Sequence, residues 1–65
     1  MKIKEIEYTE NYIMVKLDTS DHGAWDKLYD VEQWCILTTA GKRVGMRNFA
    51  FKTEADFLMF RLKWL

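Results

Sequence analysis

At 65 residues and a formal net charge of zero, the chain has room for one core and no second domain. Apolar residues make up 49% and aromatics 15%, with no proline and three glycines, a composition that excludes a flexible tail and describes an ordered globule. No apolar run approaches the roughly 20 residues of a membrane span, Cys35 has no second cysteine to bridge, and the start Met1, Lys2, Ile3, Lys4 lacks the apolar stretch of a signal peptide, so a cytoplasmic protein is expected.

Residues 2 to 8 and 12 to 17 read as two strands around a turn at Thr9, Glu10 and Asn11, because Ile13, Val15 and Leu17 alternate with Met14 and Lys16. Ile3 and Ile6 are out of phase by one residue and need a bulge or an edge position to share a face. Asp18, Thr19, Ser20 and Asp21 offer side-chain oxygens for a helix start near residue 21. At about 100° per residue, Ala24, Trp25, Leu28, Tyr29, Val31, Cys35 and Ile36 fall on one arc, with Asp26, Lys27, Asp30 and Gln33 opposite. The strand formers from Trp34 to Thr39 leave a hairpin open as the alternative for that stretch, although helix to about residue 38 is preferred. Ala40 and Gly41 then end the helix, with Lys42 and Arg43 near its negative end. Residues 44 to 51 are expected as the third strand, and Thr53 as the cap of a last helix, with Asp56 three residues on. The expected architecture is α+β: ββαβα, a three-stranded sheet with two helices packed on it, in a single compact domain over residues 1–65.

The last helix is apolar on two sides. Ala55, Leu58, Met59 and Leu62 follow the i, i+3, i+4, i+7 spacing and are expected to face the core. Phe57, Phe60 and Trp64 lie nearly opposite, and a domain this small covers one stripe, not two. On the functional reading Phe57, Phe60 and Trp64, with Arg61 beside them and Trp34 as a weaker addition, form a protein-binding surface for a protein partner or a second copy in a homodimer. On the structural reading the final turn bends so that Phe60 and Trp64 enter the core and Phe57 stays partly exposed, and Trp34 packs locally against the hairpin.

The charges are unevenly spread, with eight acids against four bases up to residue 34 and six bases against two acids after it, a pattern of either internal pairing or a polyanion-binding half. Chemistry of other kinds lacks its residues. His22 is the only histidine and Cys35 the only cysteine, which removes zinc fingers and clustered metal ligands; His22 with Asp18 and Asp21 is read as a helix-start cluster, and Cys35 as an inert buried thiol. Gly41-Lys42 lacks the earlier glycine and following hydroxyl of a phosphate loop, and no paired carboxylates stand out. No enzyme, metal or cofactor is therefore expected.

Arg47, Asn48, Phe49, Ala50 and Phe51, followed by Glu54, Ala55 and Asp56, resemble the third strand and following helix of an RNA-recognition motif, with Asn48 where that family has glycine and Glu54 where it has its last aromatic. The resemblance implies a single-stranded nucleic-acid (RNA) surface built from Lys42, Arg43, Arg47, Phe49, Phe51 and Lys52, the strand aromatics stacking on bases. The competing reading, favoured by the shortage of other core residues, turns both phenylalanines inward. More loosely, Phe51, Glu54, Ala55, Asp56 and Phe60 to Trp64, after the Trp34-Cys35 pair, resemble the endings of small accessory proteins of tailed bacteriophages, which implies a modulator that binds and redirects a host protein in the host cytoplasm.

Overall fold

The computed structural model describes all residues from Met1 to Leu65. Its elements run β1 (Lys2–Tyr8), β2 (Ile13–Asp18), α1 (Ala24–Thr38), β3 (Gly41–Arg43), β4 (Asn48–Phe51) and α2 (Glu54–Trp64). The class is α+β as expected, but the antiparallel sheet has four strands, in the order β1-β2-β4-β3. Of the expected third strand over 44 to 51 only Asn48–Phe51 forms, as β4, and residues 44 to 47 turn between it and β3. Gly41, Lys42 and Arg43, read from the sequence as the helix exit, form a short edge strand paired with Phe51, Ala50 and Phe49.

The first hairpin follows its alternation. Thr9 closes the turn, its amide donating to the Tyr12 carbonyl at 2.8 Å and its hydroxyl accepting from the Tyr12 amide at 3.0 Å. The register shifts between Ile3 and Glu5, so that Ile3 opposes Leu17 and Ile6 opposes Val15. One extra residue thus sets both isoleucines opposite inward residues of β2, with Ile3 packed against the core and Ile6 still exposed on the edge strand.

Helix α1 starts at Ala24, three residues later than the run of oxygens suggested, behind a left-handed Gly23 (φ 81°) with no side-chain cap. Asp18 instead closes a local turn, its Oδ1 accepting from the Ser20 amide at 2.9 Å, a bond that holds the Asp18 carboxyl below its ordinary value. The helix continues through Thr38, which resolves residues 34 to 38 as helical, and a left-handed Thr39 (φ 55°) ends it in place of the expected glycine. Gly41 has a different task. A Cβ there would lie 2.6 Å from the Phe51 ring, so the missing side chain is what lets that ring approach the edge strand.

Both helices cover the same face of the sheet. Ile13, Val15 and Leu17 of β2 and Phe49 and Phe51 of β4 join Leu28, Val31 and Cys35 of α1 and Phe57 and Phe60 of α2 in one buried cluster. The arc expected of α1 is narrower than drawn, since Trp25, Tyr29 and Ile36 remain exposed on its flank. For α2 the expected core face is reversed. Phe57 and Phe60 are buried, while Leu58, Met59 and Leu62 are exposed. Phe51 packs against Phe60 at 5.1 Å and against Phe57 at 5.6 Å between ring centres, and Phe49 stacks on Phe60 at 6.5 Å. A phenylalanine carries more apolar surface than a leucine and gains about 0.5–1.5 kcal/mol more per ring pair, so the aromatic stripe wins the inner side.

Candidate functional site

The capped start of α2 sets the phase of everything after it. Thr53 is extended, and its Oγ1 accepts from the Asp56 amide at 3.1 Å. From there Phe57, Phe60 and Trp64 recur at three and four residues and turn inward. Trp64 and Trp34 meet edge to face at 6.3 Å between ring centres, so the two tryptophans join α1 to α2. The Trp64 indole N–H is buried without an acceptor, a polar group that its neighbours enclose without satisfying.

These positions correct the first set of candidate residues. Phe57 and Phe60 are core residues at 2% and 0% exposure and cannot touch a partner, and the half-buried Trp34 and Trp64 brace one another. Nor does the final turn bend to leave Phe57 outside: the helix takes all three aromatics in together. Arg61 alone of that set is exposed, its guanidinium 5.6 Å from the Phe57 ring centre.

What α2 presents outward is aliphatic. Leu58 (53% exposed), Met59 (45%), Leu62 (79%) and Leu65 (49%) lie on the side away from the core, with the exposed Ala55 among them. At about 100° per residue they span one side of the helix, bordered on one flank by Glu54 and Arg61 and on the other by Asp56 and Lys63. The premise that this helix is apolar on both sides is what pointed to the surface; the sequence reading chose the wrong side.

The candidates for nucleic-acid binding are dispersed. Phe49 and Phe51 are fully buried, so neither is available to stack on a base. The Arg43 guanidinium is occupied as a staple: Nη1 lies 3.3 Å from Glu32 Oε1, the one ion pair of the chain, while Nε and Nη2 donate to the Gly45 and Met46 carbonyls at 3.2 and 2.6 Å. Arg47 is half-buried beside Thr19. Lys42 and Lys52 remain exposed, and with Tyr12, Met14, Val44 and Ala50 they border a cleft of about 650 Å³ on the sheet face that carries no helix. Inward or outward direction on a short strand depends on which face the helices cover, which the alternation by itself leaves open.

Titratable groups form no further centre. No group of three or more His, Cys, Asp or Glu side chains comes together. His22 is exposed ahead of α1, and Cys35 is buried 11 residues into the helix from Ala24, about 16 Å along its axis. Burial first, with Glu32 adding, pushes the Cys35 thiol up to about 11, so it stays protonated and unreactive at neutral pH. No helix is long and apolar enough to cross a membrane.

No protein-family model, curated protein or solved structure matches the chain.

Proposed function

We propose that the chain is a small non-catalytic protein-binding module, a modulator that occupies an apolar surface of its target with the outward face of α2. One observation carries the reading: Leu58, Met59, Leu62 and Leu65 stay exposed side by side on a helix whose opposite side already fills the core. Burying a fully exposed leucine or methionine is favourable by about 1.5–3 kcal/mol, and these four, still 45% to 79% exposed, each keep roughly half or more of that to contribute to a contact. The matching surface is an apolar groove or helix about 16 Å long, the length of an 11-residue helix, with charges of both signs on its rim. The loose likeness to phage accessory proteins, whose role is to bind and redirect a host protein, points to the same kind of action.

The nucleic-acid reading has less support. Its stacking residues lie inside the core, and its two exposed lysines stand on a chain of zero net charge.

The test compares retention of cellular proteins on the immobilised native chain and on Leu62→Glu, with circular dichroism as the control for folding. A protein retained by the native chain and lost on the variant, in moderate salt, is the expected result. Equal retention by both would remove α2 as the docking surface.

A further inference from the structure

Resting on that reading of α2, we infer that the surface takes a second copy of this chain, with the two α2 helices packed antiparallel about a two-fold axis. Charge identifies the partner. The first turn of α2 carries Glu54 and Asp56 and the last turn Arg61 and Lys63. None of the four makes an ion pair within the chain. On each flank the acid and the base are seven residues apart, about 10 Å along the axis, which is beyond pairing within one helix.

A two-fold axis across the apolar face removes that separation. It reverses the partner helix while keeping like flanks together, so Glu54 meets Arg61 of the second copy and Asp56 meets its Lys63. The same alignment sets Ala55 against Leu62 and Leu58 against Met59. All four pairings share one register to within about two residues, or 3 Å of axial shift, which the side chains absorb. A parallel pair, whose two-fold axis exchanges the flanks, would instead put Glu54 beside Asp56 of the second copy and Arg61 beside its Lys63. Antiparallel packing also opposes the two helix dipoles, each acidic positive end lying beside a basic negative end. A two-fold contact has to be complementary to itself, and here both the apolar stripe and the charges on either side of it are.

The helix is short, so the contact falls below the roughly 1,200 Å² of a stable complex, and the pair is expected to half-dissociate at on the order of 100 micromolar. Such an association is exchangeable, leaving the face free for a competing partner at low concentration.

Sedimentation equilibrium over a range of concentrations tests this on the intact chain and on two charge reversals, Glu54→Lys/Asp56→Lys and Arg61→Glu/Lys63→Glu, with circular dichroism confirming that each is folded. The native chain is expected to dimerise reversibly, each reversal alone to dimerise at least about tenfold more weakly, and an equimolar mixture of the two to recover pairing, because the two variants are complementary. A native chain that stays monomeric into the millimolar range overturns the self-pairing. So does a dimer indifferent to both reversals. Either result leaves the Leu62-dependent retention of another protein standing, and the loss of that retention is what would remove the docking role itself.

Discussion

The two sides of α2 are alike in apolar character and opposite in fate. Phe57 and Phe60 turn inward onto Phe49 and Phe51, while Leu58, Met59, Leu62 and Leu65 turn to solvent. The choice between them is a matter of volume and of what stands across the gap. β4 presents two phenylalanines, and rings on the facing helix fill the space between them, whereas unbranched or γ-branched chains would leave voids. The lesson is that periodicity finds apolar stripes, and the partner surface decides which of them is core.

That contrast is open to direct attack. Phe60→Ala removes a ring in contact with Phe49, Phe51 and Phe57 and is expected to cost about 3–5 kcal/mol, enough to unfold most of a domain this small. Urea unfolding followed by circular dichroism measures it, and a loss under about 1 kcal/mol would mean that the aromatic side is not the core. Gly41→Ala comes next. Its new methyl meets the Phe51 ring at 2.6 Å, and overpacking of this kind costs about 1–3 kcal/mol, visible as a lower urea midpoint at unchanged slope. Thr53→Ala deletes the acceptor of the Asp56 amide and is expected to cost about 1 kcal/mol, a change that loosens both sides of the helix together.

The smallest effect belongs to the outer side. Leu62→Gln should move stability by no more than about 0.5 kcal/mol in a dilute monomer, since its side chain has little to lose. A cost comparable to that of Phe60→Ala would erase the distinction between the two sides.

Alkaline pH probes the inner side from α1. The folded-state pKa of Cys35 is raised from 9.0 to about 11, so in that interval the unfolded chain releases the thiol proton and the folded chain keeps it. Its contribution to stability is therefore complete below pH 9 and lost as pH rises towards 11. Tyrosines and lysines titrate in the same range, so the measurement is the difference between the native chain and Cys35→Ala. The native chain should lose more stability over that interval, and parallel curves would show that the thiol is not held in the core as described.

Much of this was legible from residue order. The hairpin, the extent of α1 to Thr38, the Thr53 cap and the out-of-phase isoleucines all depend on neighbours within a few positions, where local geometry decides. The edge strand Gly41–Arg43 was not, because three residues carry no alternation and exist as a strand only through pairing with β4. The protein-binding candidates fared least well for a related reason, whereas Phe49 and Phe51 face the core as the favoured reading had them. Phe57, Phe60, Phe49 and Phe51 are the residue types of both hot spots and cores, and only the other layer of the molecule distinguishes the two roles.

By itself, then, the order of residues determined the class of fold, the helix boundaries to within a few positions, and the existence of two apolar stripes on α2. The tertiary structure alone decided that Phe57, Phe60 and Trp64 go inside and that Leu58, Met59, Leu62 and Leu65 face water. A helical repeat places side chains relative to one another, but burial is a relation to a second surface, and that surface is assembled from strands far away in the chain.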